Sequence, residues 1–594
     1  MSFIDNLSIL KGKHSMKFGV EIRPVRIYTD RLGATTYTYS LPTLLTNTPS
    51  SVAILGDVSA PNPLHGGATG NRFLKQAYYI GYGQDEFRIK PNLTVNYGLR
   101  WEYYSVMHED RDLYTLFIAG QGLTKGPWYK SNKTNFGPRL AFTWSPTALK
   151  NKTVLRVGSG FYYGPGQAED TVQPIDSDRV SLTLTNAAFP VDSRALIAAV
   201  NPANLTNFQP RAYTPGYTVP EKILSYTASI QQSLPGSAVL TVAYVGSQGR
   251  NLFVRTWANG ITGVTQNPTT GVGSAVLEMS PQFAQVDVKS SGGTDHYNAL
   301  QTQLQRRFSK GLTIGGQYTW SHSIGNASGG APGEGQTAQN PFDFNALDKG
   351  NNANDVRHGI NVTALYELPF GRDRQFLRSA NGLVDGILGG WQLGGVLNAR
   401  TGLPVDVTID RPDIVYRVNS TGQYVQTPIL AGSEVLTTAV INNPYGGAFR
   451  SNRRPDVVAG VDPYLSTGDR RYMINPAAFS IPKPGQYGDL ARAALIGPGI
   501  SQFDLTLDKR FRITERVNMA FRGEFYNLFN RANFAPPPIR LSNALGTGNN
   551  QLQPGQAFSL AAAGGTFGIG NATVTKDVGL GAARQIQLSL RLSF

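Results

Sequence analysis

The residue types that could carry out catalysis are present in this 594-residue sequence, but their spacing forms no catalytic or metal-binding pattern. None of the six histidines belongs to an HExxH motif or to a paired metal-ligand spacing. Cysteine is absent, which excludes a disulfide framework and a thiolate metal site. The sequence therefore predicts no catalytic residue, no cofactor and no metal ion, and we do not expect an enzyme. The scattered histidines include His14, His65, His108, His296 and His322.

Three other features could bind a small ligand, but each has a simpler structural interpretation. The glycine-rich stretches GSGFYYGPG and GNASGGAPGEG lack the strand–loop–helix context of a phosphate site. The segment DKGNNANDVRHG, which begins at Asp348, offers oxygen ligands for Ca²⁺ but lacks the order and the closing glutamate of an EF-hand. Tyrosines in the long segments could stack on a ligand, although anchoring their own loops is the favoured interpretation. These tyrosines are Tyr213, Tyr217, Tyr424, Tyr445 and Tyr472.

Composition narrows the class of protein. Charged residues make up 16% of the chain, against roughly 25% in a typical soluble domain. The formal net charge is +15, but lysine and arginine are spread along the chain, so no nucleic-acid partner is expected. The sequence has no run of about 18 apolar residues that could form a membrane-spanning helix. The residues after Met1 have neither the basic region nor the apolar region of a signal peptide.

The elements that must position these side chains are two-faced strands. The chain ends in ARQIQLSLRLSF, where apolar and polar residues alternate, and a period of two predicts a β-strand. The same alternation recurs in SMKFGVEIR, NLTVNYGLRWEYY, ALQTQLQRRF and GLTIGGQYTWS, whose apolar faces end in aromatic residues. The apolar face of the final strand carries Ile586, Leu588, Leu590, Leu592 and Phe594.

Six polar side chains lie on the faces of these strands that are expected to contact water. In a membrane barrel, successive residues face lipid and lumen in turn. We therefore expect these six side chains to point into the lumen, where contact with a plug or with water is favoured over contact with a substrate. They are Arg100, Gln303, Gln305, Arg307, Gln587 and Arg591.

Short and long connections alternate strictly along the chain. Seven pairs of predicted strands are joined by turns such as KGKH, KPN, LPGS and SKG. One pair has a longer join, in which LRSANGLVDGILGGW could form a short helix. Compact soluble domains rarely carry many loops above about 15 residues. The long segments run over about 24–75, 106–135, 164–222, 247–296, 324–356, 402–501 and 528–583.

This alternation predicts the fold class. Only helices and closed barrels satisfy the backbone in hydrocarbon, and membrane barrels combine short periplasmic turns with long external loops. We expect an all-β protein, an antiparallel transmembrane β-barrel of about 15 strands, located in a Gram-negative-type outer membrane. A soluble sandwich or propeller is the alternative, but a propeller would show a repeat of about 40–50 residues, and none is present.

Several phrases of the sequence resemble one known family. The phrases YIGYGQDEFRIKPNLTVNYGLRWEY, VAYVGSQGRNL, DHYNALQTQLQRRFSKGL, DVRHGINVTALYELPFG and RGEFYNLFNRANF are similar, in this order, to stretches of Oar-like TonB-dependent outer-membrane proteins. The resemblance implies a barrel of the 22-stranded type with a plugged lumen, surrounded by outer-membrane lipid. It also implies insertion by the barrel assembly machinery, which reads a last strand with an aromatic end. On that resemblance the alternating apolar residues of the final strand form the insertion signal, and Phe594 is its terminal anchor.

The resemblance also implies parts that are not seen in the sequence. No signal peptide, plug domain or TonB-binding segment precedes Phe3, and about 15 strands is an odd number, whereas bacterial single-chain barrels have an even one. We therefore expect residues 1–594 to be one barrel domain, the C-terminal portion of a longer product, in which TonB acts only through the absent plug. The final strand either pairs with the strand near 3–10 or leaves the sheet open.

These expectations give two leading hypotheses for function. The first is a TonB-dependent receptor or transporter that binds a ligand and takes it up across the outer membrane. The alternative is an outer-membrane adhesion or structural barrel without TonB-coupled transport. A secreted β-rich enzyme is a third class, which the missing catalytic cluster disfavours. The ligand stays open, because specificity lies in the long loops.

Overall fold

The structure is a computed structural model of the whole chain, and most residues are described by it. The described residues are 2–29, 34–56, 72–110, 116–118, 122–124, 129–165, 180–187, 189–192, 195–196, 211–214, 216–267, 269, 273–278, 286–309, 311–327, 339–340, 347–372, 374–425, 439–442, 453–514, 517–542, 545, 552–575 and 579–594.

Fifteen long strands form one sheet in which each strand pairs antiparallel with the next along the chain. This confirms the predicted fold class and strand number. The strands are β1 (Phe3–Lys11), β2 (His14–Thr29), β3 (Arg72–Lys90), β4 (Leu93–Tyr104), β5 (Phe136–Trp144), β6 (Thr153–Gly164), β7 (Glu221–Leu234), β8 (Ala238–Ala258), β9 (Val286–Ser309), β10 (Leu312–Gly325), β11 (His358–Glu367), β12 (Trp391–Arg400), β13 (Ile500–Arg512), β14 (Asn518–Tyr526) and β15 (Gln585–Ser593).

The connections between these strands contain short elements. Within the described ranges, the α-helices are α1 (Leu41–Leu45) and α2 (Gly382–Leu388), and 3₁₀ helices cover Thr147–Leu149 and Pro476–Ala478. The short strands are Ala34–Thr38, Ser51–Gly56, His108–Glu109, Leu116–Ile118, Gly122–Thr124, Lys130–Ser131, Val180–Thr185, Arg211–Tyr213, Thr218–Val219, Ile261–Gln266, Gly273–Leu277, Gly350–Asn351, Pro404–Val405, Thr408–Ile409, Ile414–Val415, Arg417–Val418, Tyr424–Val425, Val440–Ile441, Asp456–Val457, Phe479–Ser480, Leu495–Ile496 and Arg540–Leu541.

The short connections all lie at the same end of the strands, because consecutive strands run in opposite directions. The tight turns include Gly12, which has a φ of 59° in the turn between β1 and β2, where glycine avoids the strain that a side chain would bring. The longest of these joins connects β11 to β12, and it contains α2 as the sequence predicts. The long segments follow the opposite ends of the strands, so the predicted alternation of short turns and long loops is present.

The two outermost strands leave the sheet open. In the described part of the chain, which includes both strands completely, β1 pairs only with β2 and β15 pairs only with β14. Of the two arrangements expected from the sequence, the structure has the open one. Both strands therefore present one edge of N–H and C=O groups that no strand of the described chain covers.

The long segments after β12 and β14 pack together into a hydrophobic core, which we call the loop core. Its first members, Val405, Val407 and Ile409, alternate with polar residues and point inward. Phe479, Phe558 and Phe567 are among its fully buried side chains. The complete loop core is Val405, Val407, Ile409, Val415, Ile474, Ala478, Phe479, Ile481, Leu490, Leu495, Leu541, Leu545, Leu552, Phe558, Ala562, Ala563 and Phe567.

A second cluster is aromatic and lies over the ends of β3, β4 and β8. Tyr213 and Tyr217 are buried, with ring centroids 4.4 Å apart, and both pack against Tyr129. The other buried members of this cluster are Leu74, Tyr104, Met107, Val219 and Phe253. Across the described residues, no helix has the length and apolarity needed to cross a membrane.

Candidate functional site

The pairing register shows which of the predicted lumen residues share a face. Arg100 in β4 lies opposite Tyr82 in β3 and opposite Gly137 in β5. Residues directly opposite one another, and residues two apart on one strand, point to the same side of a sheet. We call the side that carries Arg100 the polar face.

The polar face continues across the sheet to β9. Gln303 and Gln305 are each an even number of residues from Tyr297 on β9, so they share its face. Gly137 lies opposite Arg100, and Arg139, two residues further along β5, points to the same side. From Arg139, a series of directly opposite residues on successive strands leads to Tyr297. These residues, in strand order from β5 to β9, are Arg139, Gly160, Ser225, Ser247 and Tyr297.

The same face reaches the last strand. Gln587 lies opposite Glu524 on β14, and Arg591 is four residues further along β15. The residues that connect them to Gln303 are Gln317, Asn361, Asn398, Gln502, Thr506 and Glu524. Five of the six residues predicted to face the lumen therefore share one side of the sheet. That this side lines a lumen stays a prediction.

Arg307 is the sixth residue, and the pairing assigns it no face. The register of β9 and β10 is irregular between Arg306 and Ser309. The amide nitrogen of Arg307 donates a hydrogen bond to the carbonyl oxygen of Ser237, 3.2 Å away, at the turn between β7 and β8. Arg307 therefore lies at the end of the sheet that carries the short turns, and not in the middle of the polar face.

The opposite side of the sheet is apolar and rich in aromatic rings. Leu300 in β9 lies between Tyr244 and Trp320 on the neighbouring strands, and more than a third of each side chain is exposed. The final strand has the same character, and Phe594 beyond its end is 98% exposed. The predicted insertion residues on this side, each more than half exposed, are Ile586, Leu588, Leu590 and Leu592.

A buried carboxylate lies on the apolar face. Asp85 in β3 lies opposite Tyr97, whose hydroxyl donates to Asp85 Oδ2 over 2.9 Å. The same oxygen is 2.6 Å from Nδ1 of His14, and the His14 ring stacks on Phe87. These partners offset the burial of the carboxylate, because a buried charge is costly unless it is paired and hydrogen-bonded.

A cluster of buried charged side chains lies among the long loops. Arg453, Arg454 and Arg492, which we call the buried arginine cluster, are each less than 5% exposed. Arg454 Nη1 is 3.0 Å from Asp348 Oδ1, and both side chains are almost fully buried. The remaining nitrogens of the Arg454 side chain donate to the carbonyl oxygens of Leu490 and Leu347.

The buried arginine cluster joins loops that are distant in sequence. The backbone nitrogen of Gln339 donates to both carboxylate oxygens of Asp348 over 2.9 Å. The side-chain oxygen of Gln339 accepts a hydrogen bond from the backbone nitrogen of Arg454. Arg492 Nη2 donates to Asn352 Oδ1 over 3.1 Å. The loop after β10 is therefore fixed to the loop core by charge-assisted hydrogen bonds, which are roughly twice as strong as neutral ones.

Burial also shifts the titration of the charged groups in these loops. Removal from water lowers the pKa of Arg453 to about 10 and that of Arg411 to about 10. Burial lowers the pKa of Arg492 as well, and it raises the pKa of Asp406. With pKa values of about 10, Arg453 and Arg411 remain protonated at neutral pH, so these loops hold buried positive charge.

The segment that resembles a calcium loop makes other contacts. Asp348 is held by Arg454, and Asp355 accepts from the backbone nitrogen of Ser323 over 2.7 Å. Among the described residues, no three His, Asp or Glu side chains are grouped so that they could hold a metal ion. Of the loop tyrosines, Tyr213 and Tyr217 anchor their own loops, as favoured, and Tyr424 packs against the loop core. Tyr445 lies outside the described residues.

Sequence reasoning did not find the buried arginine cluster or the loop core. The alternation of Val405, Val407 and Ile409 was a usable signal, because a period of two indicates a half-buried strand. The arginines gave no comparable signal, since the carboxylate that pairs with Arg454, that of Asp348, is 106 positions away.

Comparisons with known proteins extend the geometric description. Residues 1–587 match the family model described as outer membrane beta barrel domain. A comparison with curated protein sequences found no match. Similar solved structures include the outer membrane transporter YddB from Escherichia coli, with 10% identity, a TM-score of 0.43, and coverage of 100% of this chain and 53% of that one.

Two further solved structures are similar at the same level. The siderophore receptor PiuA from Acinetobacter baumannii has 10% identity and a TM-score of 0.38, over 100% of this chain and 55% of that one. The ferripyoverdine receptor of Pseudomonas aeruginosa has 9% identity and a TM-score of 0.35, over 89% and 52%. The chain thus spans about half the length of these structures. Because the family match runs over almost the whole chain, the protein belongs to the outer membrane beta-barrel domain family, and its location is the outer membrane.

Proposed function

We propose that this chain forms the wall and external loops of a receptor of the TonB-dependent, Oar-like type, which takes up a ligand across the outer membrane. The observation that carries the proposal is the way in which the long segments pack together at one end of the sheet. The long segments pack into the loop core, and the buried arginine cluster fixes them to the loop after β10. Such packing gives the outer end of the barrel a fixed binding surface, which a ligand-capturing receptor needs.

The proposal treats residues 1–594 as one barrel domain of a longer protein. Its support is the open sheet, in which β1 and β15 each have a bare edge. Each unpaired N–H or C=O group in hydrocarbon costs several kcal/mol. Further strands, a plug and the contact with TonB are then supplied by the rest of the protein, and TonB acts on the barrel only through that plug.

Uptake is tested in the source cells by measuring which dissolved compounds disappear from a defined medium. The comparison uses the parent strain, a strain that lacks this gene and a strain that lacks TonB. We expect at least one compound to be depleted by the parent strain and to remain in the medium of both deletion strains. Depletion that depends on the gene but not on TonB would contradict the proposal.

The adhesion or structural alternative predicts a different outcome of the same comparison. The strain without the gene would then lose attachment to other cells or to surfaces, whereas the strain without TonB would attach normally. No compound would depend on both genes. The same three strains therefore distinguish the uptake hypothesis from the adhesion hypothesis.

We also propose that β15 is the strand read by the barrel assembly machinery. Its apolar residues are exposed along one face, and Phe594 extends beyond the last paired residue. Deleting Phe594 from the whole gene product is expected to lower the amount of folded protein in the outer membrane several-fold. Refolding into detergent, which does not use the machinery, is expected to be unchanged. Equal loss in both assays would assign Phe594 to stability and not to recognition.

A further inference from the structure

The polar face contains a cavity with a positive wall. Its volume is about 890 Å³, and it spans the middle of the sheet from β2 to β9. This volume falls within the range of roughly 300–1,000 Å³ that small-molecule sites occupy. The side chains that give it chemical character are Lys17, Tyr82, Arg100, Arg139, Tyr162 and Tyr297.

Arg139 is the central feature of this cavity. Its guanidinium lies over the ring of Tyr162, with Cζ 4.2 Å from the ring centroid. Its Nε is buried and has no hydrogen-bond partner in the described part of the chain. No carboxylate among the described residues forms an ion pair with it. The guanidinium of Arg139 therefore lines the cavity as a charged group that no carboxylate in the described ranges neutralises.

The backbone around Arg139 leaves room for this arrangement. On both neighbouring strands the residue opposite Arg139 is a glycine, Gly98 on β4 and Gly160 on β6. A Cβ on Gly160 would lie 2.8 Å from Cγ of Arg139, which is too close for any real contact. The glycine therefore leaves room for the Arg139 side chain, which lines the cavity and lies over Tyr162.

Two further basic side chains line the cavity, and one of them is paired with a carboxylate. Arg100 is held by Glu102, with 2.6 Å between Nε and Oε1, and its guanidinium lies 6.0 Å from the centroid of the Tyr82 ring. The carboxylate of Glu102 is used by Arg100 and by the hydroxyl of Tyr104. Lys17 adds an exposed ammonium group. Asp85 also lines the cavity, and its Oδ2 is held by Tyr97 and His14 on the apolar face.

We propose that this cavity binds a small carboxylate-rich or phosphate-bearing anion, with Arg139 as its principal binding residue. Arginine presents a planar fork of donors that matches a carboxylate or phosphate, and it stacks on aromatic rings. Tyr162 fixes the plane of that fork, while Lys17 supplies further positive charge. The inference rests on the proposed function only in treating the polar face as the lumen.

The test is equilibrium binding to the full chain folded in detergent micelles. Citrate and pyrophosphate serve as probes in calorimetric titrations at constant ionic strength. Arg139→Gln is expected to weaken citrate binding at least tenfold. Gly160→Ala is expected to weaken it as well, because it displaces Arg139 without removing charge. Arg591→Gln is the matched control, since Arg591 shares the polar face but lies outside the cavity, and it is expected to bind citrate normally.

Three results would overturn the assignment. They are equal citrate affinity for the parent chain and Arg139→Gln, equal weakening by Arg591→Gln, and binding of an oligoglutamate peptide when neither small anion binds. The last result would mean that the cavity receives acidic side chains of a polypeptide. Binding in micelles needs neither TonB nor the rest of the transport system. A negative result here therefore leaves the uptake proposal standing, and a failure of uptake leaves this site standing.

Discussion

Replacing Arg454 by methionine is expected to destabilise the loop core by about 3–5 kcal/mol. The ion pair between Arg454 and Asp348 is almost fully buried, with 3.0 Å between Nη1 and Oδ1. Removal of the arginine leaves the carboxylate in a site that water does not reach, and a buried charge without its partner is costly. Hydrogen exchange followed by mass spectrometry measures the effect. Each 1.4 kcal/mol is a factor of ten. The amide of Ile409, which is hydrogen-bonded to the Arg453 carbonyl oxygen, should therefore exchange roughly 100- to 4,000-fold faster.

Two further variants separate this effect from a general loss of charge. Arg471→Gln removes a partner from an exposed pair with Asp469 in the same loops, and no measurable change in exchange is expected, since surface pairs contribute little. The double variant Arg454→Met with Asp348→Asn removes both charges, and it should recover much of the lost protection. If the single Arg454 variant exchanges like Arg471→Gln, the buried pair does not hold the loop core together.

The strand part of the fold could be predicted from the sequence because a local signal determines it. Alternation such as that of Leu588, Ser589 and Leu590 is complete within a few residues, and it sets both the strand and its faces. The register also follows, since tight turns such as the one at Gly12 fix which residues lie opposite one another. Fifteen strands and a shared polar face are consequences of these local rules.

The loops and the buried charges could not be predicted in the same way. Arg454 becomes a buried residue only because Asp348 and Gln339, far away in the sequence, supply its partners. Asp85 is placed on the apolar face against the alternation rule, and it is tolerated there because His14 and Tyr97 reach its carboxylate. Such sites depend on tertiary partners, and a single sequence gives no indication of which partners will meet.

The second prediction with a large expected effect concerns which face of the sheet contacts lipid. Val362 is in the middle of β11 and on the apolar face, opposite Gly316 and Leu397. If this face meets lipid, Val362→Arg places a charge near the centre of the bilayer. An arginine on the lipid face of a barrel costs about 2–4 kcal/mol at the midplane. The free energy of unfolding in lipid vesicles, measured by denaturant titration, should fall by that amount.

The neighbouring residue gives a matched control for this substitution. Thr363 is one position along the same strand and points to the polar face, opposite Gly315 and Val396. An arginine there lies on the side that carries Arg100 and Gln303, where water can solvate it. Thr363→Arg is therefore expected to change the unfolding free energy far less than Val362→Arg. Because the two variants add the same side chain to adjacent residues, only the identity of the lipid-facing side distinguishes them. Equal costs would mean that the two faces do not meet lipid and water, and a larger cost for Thr363→Arg would reverse the orientation of the sheet and remove the polar-face cavity from the lumen.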